Sequence, residues 1–144
     1  MAKPVQITPL LSVSPQIAEA DLELLAARGF RAIVNNRPDG EAADQPAGAV
    51  IAAAAQRRGL DYRAVPVVPG QIGEEDVAAF ARALAEAKGP VLAYCRTGTR
   101  SISLWALSEA ERRAPDDILA AASAAGYDLS AIRPRLEARW RAAR

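Results

Sequence analysis

The sequence contains no histidine. That absence removes Cys-His and Ser-His-Asp catalysis, histidine general bases and the usual zinc ligand sets, so no metal ligands are expected. It holds one cysteine, which forbids an intramolecular disulfide. Any oxidised or sulfur-loaded state of that thiol has to be resolved by a thiol from elsewhere. No apolar stretch approaches the ~20 residues needed to span a bilayer, and Met1-Ala2-Lys3-Pro4-Val5 carries no basic-then-apolar signal segment. A cytoplasmic chain without a membrane partner is expected. A strong charge of one sign is missing too: 18 Lys and Arg against 17 Asp and Glu leave a formal net charge of +1. Nothing therefore pulls the chain toward nucleic acid independently of sequence, and nothing in it calls for a cofactor.

What is present is a 144-residue chain, 51% hydrophobic, long enough to bury one contiguous core and read as a single domain over 1–144. β and α signals alternate, which predicts an α/β fold with a mostly parallel central sheet of four to five strands flanked by helices. Val5 to Val13 contains an extended segment. Ser14-Pro15 opens a helical stretch through Arg28, with Ile17, Leu24 and Leu25 on its apolar face and Gly29 closing it. Phe30 to Val34 is a short buried strand, ended by the turn-rich Asn35-Asn36-Arg37-Pro38-Asp39-Gly40. Ala47 to Arg58 reads as an alanine-rich helix and Asp61 to Val67 as a strand. The next helix opens on Glu74, Glu75 and Asp76, presents Val77, Phe80 and Leu84 along one face, and finishes at Lys88-Gly89-Pro90. After the strand Val91 to Tyr94, helices are predicted over Ser101 to Arg112, Asp116 to Ala125 and Leu129 to about Trp140.

Cys95 falls where the apolar run Val91-Leu92-Ala93-Tyr94 breaks into Cys95-Arg96-Thr97-Gly98-Thr99-Arg100-Ser101. Successive backbone amides at such a turn form an anion nest, and the positive end of the following helix adds to it. Cysteine attacks as the thiolate, so amides and the nearby Arg96 and Arg100 bear directly on its chemistry. The alternative is an inert, buried cysteine, the commoner fate of a lone intracellular thiol. The glycine, threonines, arginines and serine of the loop favour the reactive reading.

Cysteine phosphatases wrap a tetrahedral phosphate in a Cys-x5-Arg loop, with the thiolate as nucleophile and the arginine as bidentate clamp. Here the spacing is Cys95-x4-Arg100, one residue shorter, and resembles the active loop of single-domain rhodaneses. A tighter ring leaves less room for three equatorial oxygens while still cradling a persulfide. Phosphatases also use a general acid to protonate the leaving alkoxide. The segment Pro66-Val67-Val68-Pro69-Gly70-Gln71 has no carboxylate, and Glu74 reads as helix N-terminal charge. Asp39 is left as a candidate acid, with an equally good account as a turn residue.

Several segments match one bacterial family: Leu11-Ser12-Val13-Ser14-Pro15-Gln16, Asn35-Asn36-Arg37-Pro38-Asp39-Gly40-Glu41, Gln45-Pro46, Pro66-Val67, Leu92-Ala93-Tyr94-Cys95-Arg96-Thr97-Gly98-Thr99-Arg100-Ser101, Leu104-Trp105-Ala106-Leu107 and Ala125-Gly126-Tyr127-Asp128-Leu129. The chain resembles, from about residue 4 to 140, the sulfurtransferase domain that occurs alone or fused to a persulfide dioxygenase in β-lactamase hydrolase-like proteins. The resemblance implies a dual-specificity- or tyrosine-phosphatase-like fold, with C-terminal helices over about 115–140 packed on it. It further implies Cys95 as the sulfur-accepting nucleophile, Arg100 as the anion clamp, the amides of Arg96, Thr97, Gly98, Thr99, Arg100 and Ser101 as the cradle, and Ser101 as a hydrogen-bond donor to the thiolate. Tyr94 stands where a tyrosine phosphatase usually has histidine.

Arg37, Asp39 and Glu41 form a second charged group. Arg37 is either a second anion contact, with Asp39 beside it, or half of a local ion pair with Asp39 or Glu41. Trp105 and Trp140 read as packing residues, and the arginines from Arg133 to Arg144 as a solvated helix face. The expected function is sulfur transfer: Cys95 takes sulfane sulfur from a small donor such as thiosulfate or a glutathione persulfide and hands it to a thiol, with a persulfide dioxygenase as a conceivable partner enzyme. A cysteine-dependent phosphatase is the first alternative, and a non-catalytic anion- or partner-binding module the second.

Overall fold

Short runs containing β-branched residues or leucine become four of the five strands, Asp61–Ala64 being the exception. The computed structural model describes residues 2–144. Its sheet has five strands in the order β1-β2-β5-β3-β4, with β1 over Val5–Thr8, β2 over Leu11–Ser14, β3 over Ala32–Asn35, β4 over Asp61–Ala64 and β5 over Val91–Tyr94. β1 and β2 form an antiparallel hairpin, and the other neighbours are parallel. β5 is central and wholly buried, which is why its four residues read as an unbroken apolar run.

Side-chain alternation along the strands divides the core in two. Val91 and Ala93 of β5, with Ala32 and Val34 of β3, face a cluster built with α3 (Glu74–Glu86), α4 (Thr99–Glu109), α5 (Pro115–Ala124) and α6 (Arg133–Ala142). Leu92 and Tyr94, with Ile33, face the cluster of α1 (Asp21–Ala27) and α2 (Gly48–Arg57). Every residue of α4 from Arg100 to Ser108 is buried, so Trp105 is a core residue, as its place in an apolar helix predicts.

Five sequence readings are corrected. The extended segment at Val5–Val13 is a hairpin that turns at residues 9–10. The helix expected from Ser14-Pro15 begins only at Asp21, because Ser14 completes β2 and the amide of Gln16 is bound to the carbonyl of Arg96 at 3.2 Å. Leu22, and not the 43% exposed Leu24, shares the buried side with Ile17 and Leu25. β4 stops at Ala64 because side chains replace the next ladder bond: the amide of Arg37 donates to Asn35 Oδ1 and Asn36 Nδ2 donates to the carbonyl of Val65, although Val65 and Val67 still donate to the carbonyls of Asn35 and Asn36. α4 starts at Thr99, two residues earlier than expected, which places Arg100 in its first turn.

The C-terminal arginines are largely ion-paired across helices, Arg133 with Asp116 and Arg135 and Arg139 with Glu74. Arg144 stacks over the Trp140 ring at 3.7 Å. No helix among the described residues is long and apolar enough to cross a membrane.

Candidate active site

At the carboxyl end of β5 the chain leaves the sheet between its two parallel neighbours. The amide of Cys95 still reaches the carbonyl of Ser14 on one side, at 3.4 Å, while Asn36 on the other binds the carbonyl of Tyr94 at 2.8 Å. Cys95 is buried, and the amide of Gly98 donates to its Sγ at 3.1 Å. Gly98 caps α4 with φ at +95°, a backbone setting that L side chains avoid. Among the described residues, no protein acceptor takes the amides of Arg96, Thr97, Arg100 or Ser101. These open donors at a helix N-terminus make a cradle for an anion next to the sulfur.

Arg100 lies in the first turn of α4. Its Nη1 and Nη2 donate to the two oxygens of Glu41 at 2.7 and 2.9 Å, and Nη1 also donates to the carbonyl of Val67 at 2.9 Å. A guanidinium has five N–H groups. The Nε–H and the second Nη2–H therefore form a free fork that a substrate oxyanion can occupy. Its hydrogen bonds to Glu41, opposed by burial and then aided by the charge of Cys95, raise the Arg100 pKa and keep the guanidinium cationic.

Glu41 is the residue that reading the sequence missed in this role. Arg37 donates to it from Nε at 2.9 Å and to Gln16 Oε1 at 3.0 Å. Of the two accounts of Arg37, the local ion pair is the one observed, with Glu41 as its partner. Hydrogen bonds from Arg100 and, after burial's opposing pull, from Arg37 hold the Glu41 carboxyl at about 2. A depressed carboxyl adds stability above the ordinary carboxylate range and loses it as pH falls from that range toward the folded value. Between about pH 5 and about pH 2.5 the wild-type melting temperature should therefore fall more steeply than that of Glu41→Gln. Parallel curves would show that the pair contributes nothing to folding.

Asp39 is not beside an anion cradle in any role the hydrogen bonds support: its Oδ1 accepts from the amide of Gly48 at 2.8 Å, at the start of α2. The turn therefore docks a helix, as Asp does at such ends. Ser101 is also corrected. Its hydroxyl donates to Asn36 Oδ1 at 2.8 Å, not to the sulfur, and Asn36 Nδ2 in turn binds the carbonyl of Val65 at 2.9 Å. Both residues are fully buried, so this pair locks the end of β3 to the first turn of α4. Ser101→Ala leaves Asn36 Oδ1 without its donor and should destabilise the protein by about 1–3 kcal/mol, read by urea unfolding.

The side chains of Arg96, Thr97 and Thr99 are exposed. Thr97 Oγ1 lies 3.1 Å from that of Thr99 and stiffens the loop. Burial and the neighbouring Tyr62 push the Tyr94 phenol up, so the residue before Cys95 stays neutral within the core. Among the described residues no cluster of acidic, cysteine or histidine side chains could hold a metal.

Known proteins resemble the chain as follows. A family profile described as "Beta-lactamase hydrolase-like protein, phosphatase-like domain" matches residues 5–112. A beta-lactamase hydrolase-like protein of Xylella fastidiosa is 43% identical over 129 residues, covering 88% of this chain and 30% of that protein. The chain thus spans under a third of that relative's length. A Neisseria meningitidis protein provisionally described as a phosphatase is 37% identical, with a TM-score of 0.86 over 94% of this chain and 96% of that one. Tk-PTP in its active form has a TM-score of 0.70 over 95% of both chains; at 18% identity it shows a common fold. The phosphatase-like fold expected from the resemblance is the fold found. These likenesses back the phosphatase alternative better than sulfur transfer.

Proposed function

The chain belongs to the family of phosphatase-like domains of beta-lactamase hydrolase-like proteins, and on that footing we propose that it is a cysteine-dependent phosphatase acting through the Cys95 thiolate. The observation that carries this reading is the arrangement around Cys95 Sγ: unpartnered amides at the start of α4 and the free fork of Arg100 converge where an anionic ester would bind. The thiolate attacks phosphorus, the S–P bond forms and the P–O bond to the leaving group breaks. Water then hydrolyses the phosphocysteine, releasing phosphate and restoring the thiolate. Glu41 is ionised and held by two arginines, and Asp39 is engaged at α2, so neither serves as general acid. Substrates whose leaving group departs without a proton, aryl phosphates above all, fit this site best.

Sulfur transfer is the second reading, favoured by the same missing acid and by the four residues between Cys95 and Arg100. In that course Cys95 attacks the outer sulfur of thiosulfate, a persulfide forms, sulfite leaves with its bonding pair, and an external thiol takes the sulfur. No proton donor is needed at the leaving group.

One experiment separates the two. The purified chain is given an aryl phosphate and, separately, thiosulfate, and phenol release, sulfite release and intact mass are followed. Catalytic phenol release without sulfur uptake supports the phosphatase. One sulfur atom gained on Cys95, with sulfite released and no phosphatase turnover, overturns it in favour of sulfur transfer. Neither reaction would remove both.

A further inference from the structure

Tyr127 comes from the turn that follows α5, remote in sequence from the cysteine loop, yet its hydroxyl donates to the carbonyl of Thr97 at 3.0 Å. A Cβ added at Gly98 would lie 2.2 Å from Tyr127 Oη and 3.0 Å from its Cζ. The phenol is therefore packed directly on the peptide that joins Thr97 to Gly98. That peptide's other polar group is the Gly98 N–H, the donor on Cys95 Sγ at 3.1 Å. One amide thus receives a hydrogen bond at its oxygen and gives one to the sulfur.

We propose that Tyr127 is a positioning residue for the nucleophile: through the Thr97–Gly98 peptide it fixes and polarises the amide donor that stabilises the Cys95 thiolate. Hydrogen bonds in series strengthen one another, because withdrawing electron density at a carbonyl oxygen makes the N–H of the same peptide a better donor. The tyrosine also prevents the peptide from rotating, a freedom that glycine at a positive φ otherwise retains. Burial and the negative charge at Cys95 raise the Tyr127 pKa, so the proton this chain of bonds requires stays on the phenol. The role rests on reading Cys95 as the nucleophile. It adds to that site a residue with no contact to the substrate anion.

The test needs no substrate. The chain has one cysteine, so ultraviolet absorbance of the thiolate, taken as a difference from the matching Cys95→Ser proteins, titrates that sulfur alone. In Tyr127→Phe the titration should move to higher pH, by about three- to tenfold in the ionisation constant, the scale of one lost hydrogen bond. Melting should stay close to wild type. An unmoved titration in the folded variant overturns the proposal, even where melting falls, since a purely structural residue would behave that way. Tyr127→Met, which keeps apolar packing without a donor, gives the same reading should the phenylalanine variant not fold. A shifted titration in a chain inactive toward both aryl phosphate and thiosulfate would leave the role of Tyr127 standing while removing the proposed reactions.

Discussion

Replacing Cys95 with serine is expected to abolish turnover, by on the order of 10⁴-fold or more, the scale on which losing a nucleophile is felt. Serine has nearly the same shape, and its oxygen can accept the Gly98 amide that now binds Sγ at 3.1 Å. The fold should therefore survive with a stability change of about 1 kcal/mol. What fails is ionisation. A thiol flanked by amide and arginine donors can release its proton to solvent and persist as the thiolate, whereas a serine hydroxyl needs a base. This chain has no histidine to supply one, and Glu41 is committed to Arg37 and Arg100. Phenol and sulfite release measured beside a melting curve would check both halves. Residual turnover above a few per cent in a folded Cys95→Ser protein would place the chemistry elsewhere.

Arg100→Lys should lower turnover by about 10²- to 10³-fold, comparable with removing one preorganised transition-state donor. The substitution keeps the charge but not the shape. The guanidinium contacts both oxygens of Glu41 and the carbonyl of Val67 while offering another edge to a ligand. An ammonium is a point donor and cannot satisfy the carboxylate, the carbonyl and a substrate oxyanion in one fixed geometry. Since the guanidinium would hold the oxyanion more strongly in the transition state than in the ground state, the loss should fall mainly on kcat. A lysine variant with wild-type kcat/KM would show that the loop amides suffice.

The parts of the site that could be read in the sequence are those set by local spacing. Cys95, Gly98 and Arg100 lie within one turn, and a strand running into a glycine-bearing loop and then a helix predicts where each goes. Glu41 was visible as an i+4 partner of Arg37, but its bond to Arg100 joins residues 59 apart, and no local pattern carries that. Tyr127 likewise meets Thr97 across 30 residues. Ser101 lost its predicted direction because Asn36, brought in by β3, offers a buried acceptor. The helix misplaced at Ser14 has a related cause: the backbone of Ser14 and Gln16 is taken by the cysteine loop before helical periodicity can assert itself. The central parallel sheet was legible because β5 and β3 are buried on both faces. Loop length pointed to sulfur. The relatives point to phosphate, because they share the scaffold around the loop.

The hydrogen-bonded site around Arg100 also has a consequence for how the chain reaches its native state. Its closing bonds, Arg100 to Glu41 and Ser101 to Asn36, span 59 and 65 residues. Contacts of such sequence separation have to overcome loop-closure entropy and form after local helices. They also require β3 to be seated beside β5, a parallel pairing that no hairpin can nucleate. Helical signal should accordingly recover ahead of Cys95 reactivity during refolding, and competence for chemistry should be a late event in folding.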